Sequence, residues 1–279
     1  MPRLRLRKIF CVIDPTTNTQ RALLRAANMA LQVTGAVVHA YLCFSLPGSL
    51  PTERREAFRE AEHSRHRAWL AEIVALQQAN GLKITTEIEC QDDWRRALVG
   101  AATRSGADLV VRASTPRSAL HRRVLKTTDW MLLRHSSSPV LFVKSKEHDR
   151  VDKVLAAVDM RAKDEPHQRL TDHVLEFAQG LALLTGAELH AVSAYSGSTN
   201  VVQPPELAKR AGVAPGQAHV GEASPDALIS TVAQELDNPL VILGSIPRTG
   251  MTGAVVGNTA ERILDHIQSD VICIVQRPQ

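Results

Sequence analysis

The sequence is poor in aromatic residues, which make up 4% of its 279 residues although 44% are hydrophobic. Its core must therefore be built from aliphatic side chains, which suit helices packed on a parallel sheet better than an aromatic-rich sandwich. No apolar run reaches the ~18 residues that predict a membrane-spanning helix. The basic N-terminus runs directly into a predicted strand and not into the apolar region of a signal peptide. We therefore expect a soluble, cytoplasmic protein.

Cysteine is also scarce, and several catalytic motifs are absent. The four cysteines lie far apart in apolar segments, at Cys11, Cys43, Cys90 and Cys273. This spacing favours buried free thiols over a disulfide framework or a metal-binding knot. The sequence contains no G-x-x-x-x-G-K-[ST], G-x-G-x-x-G, G-x-S-x-G or H-E-x-x-H motif. A P-loop and a dinucleotide fingerprint are thereby excluded, and nothing in the sequence demands an enzyme.

The net charge is a modest +4, but arginine and histidine are concentrated in the first half of the chain. A basic surface can attract nucleic acid or another anionic partner. Acidic residues are interleaved with the basic ones, however, and no aromatic residues stand among them to stack bases. A solvated helix face is the favoured interpretation, and nucleic acid is not an expected partner. The basic residues are Arg54, Arg55, Arg59, His63, Arg65, His66, Arg67, Arg95, Arg96, His121, Arg122 and Arg123.

Strand and helix patterns alternate along the first half. Apolar runs predict strands at 8–13, 36–44, 83–90, 108–112 and 139–143. Amphipathic patterns predict helices at 21–31, 53–80, 94–104 and 123–134. This alternation is typical of a doubly wound α/β domain with a parallel sheet.

After a charged stretch at 144–152, the same order of elements begins again. Strands are predicted at 154–158, 188–194, 218–220, 240–243 and 271–275, and helices at 167–184, 224–235 and 255–267. Ser224 is the expected N-cap of the middle helix, with Pro225 at its first position. We interpret the charged stretch as a linker between two domains at 1–144 and 153–279.

A constant offset supports an internal duplication. Leu109-Val110 matches Leu240-Val241 at an offset of 131, and the same ungapped offset aligns a following loop, helix and strand. The second half is shorter where the first half has its long second helix. We therefore expect one sheet face of the second domain to lack cover, which favours a homodimer. The short last strands of the halves, 139–143 and 271–275, are expected to pair edge to edge as an intrachain pseudo-dimer.

One segment of the second half has the character of a ligand site. Residues 244–259 (GSIPRTGMTGAVVGNT) follow a buried strand and lead into a helix, whose free amides favour an anion. Asp159 ends the neighbouring strand, at the sheet edge where ligands bind in open α/β folds. The loop can thus hold phosphates while Asp159 accepts hydrogen bonds from a base or ribose. The alternative is a glycine loop without a ligand, with Asp159 as a helix cap.

A strand that ends in Asp and is followed at a distance by a segment similar to G-x2-G-x9-G-[ST] resembles the universal stress protein family over nearly the whole chain. This chain has Asn258 at the [ST] position, with Thr259 next to it. The likeness is strongest to its tandem E-type members, through 126–144 (KTTDWMLLRHSSSPVLFVK) and 244–267 (GSIPRTG…GNTAERILDHI). The resemblance implies two five-stranded parallel sheets of order 3-2-1-4-5 flanked by helices. It also implies ATP or a related adenine nucleotide, with Mg²⁺ as its companion, in nucleotide-binding members.

The resemblance assigns the nucleotide site to the second domain. Pro247 stands at the second glycine position and has no N–H to offer a phosphate, while Arg248 can supply charge. In the first domain only Asp14 remains of the motif, because Ala113, Pro116, Lys126 and Thr127 occupy its other positions, and loss of nucleotide binding is expected there. The residues assigned to the site are Val158, Asp159, Gly244, Arg248, Gly257, Asn258 and Thr259.

Two histidine groupings are weaker candidates. His63 and His66, with Glu60 and Glu62, have a helical spacing that suits zinc, but no third convergent ligand is evident and a solvated helix face is favoured. His135 and His266 occupy equivalent positions near helix C-termini, where they favour the helix dipole.

Three functional hypotheses remain open. The first is a cytoplasmic stress-response binding and signalling module with an adenine nucleotide in the second domain. The second is a slow ATP-hydrolysing enzyme that uses the same site. The third is a nucleotide-free scaffold or a binder of an anionic small ligand.

Overall fold

The computed structural model describes residues 4–33, 35–114, 122–144, 150–197, 201–246 and 258–276, with the backbone alone at 122–127, 258–259 and 265–266. Predicted features at 115–121, 145–149 and 247–257 lie outside the described residues. Among the described residues, no helix combines the length and hydropathy needed to cross a bilayer.

Among the described residues, ten strands form one sheet, and each half of the chain contributes five of them. The first half contains β1 (Lys8–Val12), α1 (Arg21–Gln32), β2 (Val37–Phe44), α2 (Thr52–Ala79), β3 (Lys83–Cys90), α3 (Trp94–Ser105), β4 (Leu109–Ala113), α4 (Arg122–His135) and β5 (Val140–Val143). The second half contains β6 (Lys153–Ala157), α5 (Glu165–Thr185), β7 (Glu188–Tyr195), α6 (Pro204–Ala211), β8 (Ala218–Glu222), α7 (Pro225–Glu235), β9 (Leu240–Ser245), α8 (Asn258–His266) and β10 (Val271–Val275).

The strand order is β3-β2-β1-β4-β5-β10-β9-β6-β7-β8. Each half therefore has the order 3-2-1-4-5 with parallel neighbours, as predicted. The two halves join through β5 and β10, which pair antiparallel. The predicted intrachain pseudo-dimer is confirmed, and it removes the two open edges that these apolar strands would otherwise present.

Aliphatic side chains fill both sides of the sheet. One cluster joins the sheet to α1, α2, α5 and α6, and the other joins it to α3, α4, α7 and α8. The strands near the middle, such as β5, are buried on both faces because helices cover both faces. The low aromatic content thus matches an aliphatic core.

Strand pairing confirms the internal repeat in three dimensions. Val110 pairs with Val140 in the first half, and Val241 pairs with Val271 in the second, so each residue of the first pair lies 131 positions before its counterpart in the second. Ile9 pairs with Val38 as Val154 pairs with Leu189. Positions matched in this way are called equivalent below.

A short helix replaces the long one in the second half. α2 has 28 residues, whereas α6 has 8. The chain nevertheless covers this face itself, because Val202, Leu207, Ala208 and Ala211 are all buried in the core cluster that includes β7 and β8. The expected bare face is therefore not found among the described residues, and the homodimer stays a prediction without that argument.

Candidate ligand-binding site

A cavity of about 820 Å³ lies in the second half at the carboxyl ends of β6 and β9. β6 pairs with β7 on one side and β9 on the other, so the order of strands reverses here, as it does where open α/β sheets bind ligands. The volume is within the range of small-molecule sites, roughly 300–1,000 Å³.

The deep wall of the cavity is apolar and its mouth is polar. Strands contribute Ala157, Val192 and Leu243, and helices α7 and α8 contribute Ile229, Ala260 and Ile263. The mouth carries Asp159, Arg161, Lys163 and His167. A ligand with an apolar or ring-shaped part and an anionic end fits this division.

Asp159 is exposed in a loop that buried hydroxyl groups hold in place. Its carboxylate Oδ1 accepts a hydrogen bond from the Arg161 N–H at 2.8 Å. Its carbonyl oxygen accepts one from Thr171 Oγ1 at 3.1 Å, and Ser193 Oγ accepts the next N–H, that of Met160, at 3.2 Å. The helix cap of α5 is Asp164, which accepts the His167 N–H at 3.0 Å. The alternative interpretation of Asp159 as a helix cap is therefore wrong.

Two of the basic side chains at the mouth are paired with carboxylates. Arg161 forms two contacts with Glu206 of α6, at 3.1 and 3.0 Å, and donates to the carbonyl of Val201. The side chain of His167 lies 2.7 Å from Asp164, and hydrogen bonds from His167 hold the pKa of the Asp164 carboxyl below its usual value. These contacts tie the mouth to α6 and α5.

Gly244 leaves room for a neighbouring side chain. A Cβ built there would lie 2.6 and 2.7 Å from the two methyl carbons of Leu170 in α5. Side chains do not approach so closely, so a larger residue at 244 would displace Leu170. The glycine has a packing role in addition to its place in the cavity wall.

Part of the predicted site comes together in the fold. Val158, Asp159 and Gly244 all line the cavity. Asn258 and Thr259 begin α8, whose following residue Ala260 also lines it. Arg248, Gly257 and Pro247 lie outside the described residues.

Several lining residues were not predicted from the sequence. Thr171 and Tyr195 line the cavity, belong to no motif and are brought there by α5 and β7. Ser193 of β7 does not line it but holds the loop after Asp159 through the Met160 N–H. A burial pattern is the only signal that could have found Thr171 and Ser193, since hydroxyl groups on otherwise apolar faces need a hydrogen-bond partner.

An ion pair fills the equivalent place in the first half. Leu243 and Ala260 of the cavity wall correspond to Arg112 and Asp129, whose Nε and Oδ1 atoms lie 2.7 Å apart. Ser114 Oγ also donates to Asp129 at 3.3 Å. Burial raises the pKa of Asp129, and the charge of Arg112 opposes that rise. Polar side chains thus occupy space that is open in the second half.

In the first half, the long helix α2 packs against the loop after β1 and the carboxyl end of β2. Trp69 Nε1 donates to Asn18 in the loop after β1 at 3.2 Å. The ring of His66 lies 4.9 Å from that of Phe44, the equivalent of Tyr195 at the cavity. These contacts support the expectation that the first domain has lost a nucleotide site.

The two histidines of the possible zinc site, His63 and His66, have different surroundings in the fold. His66 is buried against Phe44, whereas His63 borders a surface groove with Arg59 and Cys90. No group of three metal-binding side chains is found in the part of the chain that the structure describes. His135 ends α4, as expected for a residue that favours the helix dipole.

All four cysteines are free, as predicted. Cys11 and Cys273 are buried, and burial raises the pKa of the Cys273 thiol to about 12. Cys43 and Cys90 are half-buried. A raised thiol pKa means that little thiolate is present, so Cys273 is not suited to nucleophilic chemistry.

Comparisons with known proteins agree with the two-part architecture. The family model described as "Universal stress protein family" matches residues 5–144 and 150–274. A curated relative, universal stress protein E of Escherichia coli K12, is 27% identical over 95% of this chain and 93% of its own length. The universal stress protein E homolog of Haemophilus influenzae is 24% identical over 97% and 98%.

Solved structures show the same fold over the whole chain. A functionally unknown protein from Pseudomonas aeruginosa PAO1 has a TM-score of 0.75 and 28% identity, covering 98% of this chain and 93% of its own. A universal stress protein from Archaeoglobus fulgidus has a TM-score of 0.73 and 16% identity, covering 98% of both chains. The likeness extends across both halves together.

Proposed function

The chain belongs to the universal stress protein family, with two such domains in tandem, and from this premise we propose that its second domain binds an adenine nucleotide, ATP or a related one. The first domain is then a structural partner, and the protein acts as a stress-response binding and signalling module in the cytoplasm.

The observation that carries this proposal is the meeting of three motif residues at one cavity. Val158 and Asp159 directly follow β6 and Gly244 lies in β9, far away in sequence, yet all three line the same crevice. The exposed Asp159 carboxylate is suited to ribose hydroxyls or a base. The amides that begin α8 at Asn258 and Thr259 favour phosphates.

Two features set the expected strength of binding. Arg161 and Lys163 at the mouth, together with Arg248 in the glycine-rich segment, provide positive charge for phosphates or for the complex of ATP with Mg²⁺. Pro247 removes one amide from that segment. We therefore expect a dissociation constant no better than micromolar, or about −8 kcal/mol.

Titration calorimetry of the full chain with ATP, ADP and AMP, with and without Mg²⁺, tests the proposal. Gly257→Val should abolish binding because it fills space near the phosphates. Asp159→Asn should weaken binding, since it keeps an oxygen for the Arg161 N–H but removes the charge. Asp14→Asn and Lys126→Val are the matched controls in the first domain and should leave affinity unchanged. No heat with any nucleotide at millimolar concentration would refute the proposal.

A second candidate is a nucleotide-free domain that binds another anionic small ligand with an apolar part. The apolar deep wall and the contact of Leu170 with Gly244 favour it. Mass spectrometry of small molecules released from the purified protein separates the two. The same calorimetry samples, followed for released phosphate, test the third hypothesis of slow ATP hydrolysis.

A further inference from the structure

Two histidines face each other across strands β7 and β8. His190 Nδ1 lies 3.1 Å from His219 Nε2, and the two rings are stacked with their centroids 5.3 Å apart. His190 is buried and His219 is half-buried. Facing nitrogens at this distance share one proton, because one nitrogen must donate it and the other must accept it.

The first half has a different partner at the same place. The equivalents of His190 and His219 are His39 and Glu87, and His39 Nε2 lies 2.9 Å from Glu87 Oε2. A histidine beside a carboxylate gains an ion pair when it takes up a proton, whereas a histidine beside a histidine gains repulsion. Of the two halves, the second is therefore the one in which acid can place two positive charges side by side at this position.

The charged groups around the pair define where its protons lie. Glu188 Oε1 of β7 is 3.4 Å from His190 Nε2 and accepts a hydrogen bond from Gln217 at 2.9 Å. Nε2 of His190 therefore faces a carboxylate, whereas its Nδ1 faces His219. The charge of Lys153 in β6 interacts electrostatically with Glu188, and that of Glu235 in α7 interacts with His219.

Burial and the neighbouring His190 lower the pKa of His219, and Glu235 opposes that change. A histidine in the unfolded chain takes up its proton near a pKa of 6.5. The unfolded form therefore binds more protons below about pH 6.5, and acid destabilises the folded form.

The pair is connected to the proposed ligand site. β8 runs from His219 to Glu222, and Glu222, Ala223 and Ser224 line the cavity. α7, which follows, contributes Pro225 and Ile229 to the same wall. Movement of β8 or α7 would therefore open that wall.

We propose that the His190–His219 pair is a pH-sensitive latch of the second domain: protonation of both facing nitrogens separates the rings and loosens edge strand β8 together with the cavity wall beyond it. The latch does not depend on which ligand the cavity takes. Its failure and the failure of nucleotide binding are therefore distinguishable.

Hydrogen–deuterium exchange of the full chain, followed by mass spectrometry and corrected for the intrinsic rate, tests the latch at about pH 7.5 and about pH 5.5. Protection of 218–235 should fall by up to about tenfold at the lower pH, because a free histidine is then mostly protonated. The equivalent segment 83–105 of the first half should change far less and is the internal control.

His219→Glu copies the arrangement of the first half and should remove most of the acid effect on 218–235. His219→Gln cannot take up a proton and should do the same, so it serves if the first variant does not fold. The reciprocal variant Glu87→His should create acid sensitivity at 83–105. Equal exchange of 218–235 at both pH values in the unaltered protein, or a fall of the same size in both His219 variants, would overturn the proposal.

Discussion

At the scale of single residues, the turn after α7 holds two positive backbone angles, with φ of 60° at Asp237 and 55° at Asn238. The equivalent of Asp237 is Gly106, which ends α3 with φ of 58°. Glycine adopts this conformation without the steric cost that other residues meet. Asp237→Gly should therefore raise the free energy of unfolding by about 0.5–1 kcal/mol in urea denaturation. Gly106→Asp is the matched control and should lower it, so a stabilised Gly106→Asp would contradict the argument.

The contact between Gly244 and Leu170 gives a second prediction at this scale. Gly244→Ala should lower the free energy of unfolding by about 1–3 kcal/mol, because the added methyl group overpacks the wall. Adding Leu170→Ala to that variant should cost less than the sum of the two single changes, a coupling that a double-mutant cycle measures. Strictly additive effects would show that Gly244 is not required by Leu170.

At the scale of elements, the ion pair between β4 and α4 occupies the place that is equivalent to the cavity wall of the second half. Arg112→Leu alone should destabilise the protein by about 1–3 kcal/mol, because it leaves the half-buried Asp129 carboxylate with Ser114 but without its positive partner. Arg112→Leu with Asp129→Ala copies the second half and should cost much less. Denaturation of the three proteins checks this, and a double variant as unstable as the single one would count against it.

The cover that α2 provides should depend on pH through His66. Burial lowers the pKa of His66, with the charge of Arg65 adding to the effect and Glu62 opposing it. The unfolded chain takes up this proton near a pKa of 6.5 and the folded chain resists it, so stability is lost as pH falls below that value. His66→Leu should make the free energy of unfolding less dependent on pH in this range. Gln77→Leu, which replaces a buried side chain of the same helix that does not titrate, is the control and should leave the slope as it is.

The elements themselves were largely predictable from the sequence, and the site only in part. Apolar runs and amphipathic patterns placed strands such as β10 at their observed bounds, because burial imposes those patterns directly. The burial of the sheet face of the second half by α6 could not be predicted, since eight residues give too short a pattern for the buried face of this helix to be recognised. The ion pair of Arg112 and Asp129 could not be predicted either, because nothing in the sequence around these two residues indicates that the fold brings them together.

At the scale of the whole molecule, the edge pairing of β5 with β10 was predictable because apolar edge strands need a partner. The polar contacts that fix the two halves were not, because they depend on which side chains the pairing brings together. Gln32 of α1 donates to the carbonyl of Thr185 in α5 at 3.3 Å and accepts the Val151 N–H at 3.3 Å. Helices on one face of the sheet are thus linked across the junction.

The strongest of these links is a buried ion pair, and it leads to a prediction about the tandem arrangement. Arg25 Nη2 of α1 lies 2.6 Å from Asp270 Oδ2, just before β10, and both side chains are buried. Asp270 Oδ1 also accepts the Lys144 N–H at 2.7 Å, while Lys144 Nζ donates to the carbonyl of Ile267 at 3.0 Å. One carboxylate therefore joins the end of the first half to the start of the last strand.

Removing that carboxylate should loosen the junction. Asp270→Ala leaves Arg25 buried without its partner and should lower the free energy of unfolding by about 3–5 kcal/mol. Asp270→Asn keeps an oxygen for the Lys144 N–H and should cost less. Limited proteolysis should cut faster within 144–152 in Asp270→Ala than in the unaltered protein, because opening the junction exposes the segment between the halves. The surface pair of Arg169 and Glu165, which lie 3.1 Å apart on α5, is the control, and Glu165→Ala should change neither readout appreciably. If Asp270→Ala unfolds and is cleaved like the control, the two halves are held together by the β5–β10 pairing and its apolar surroundings alone.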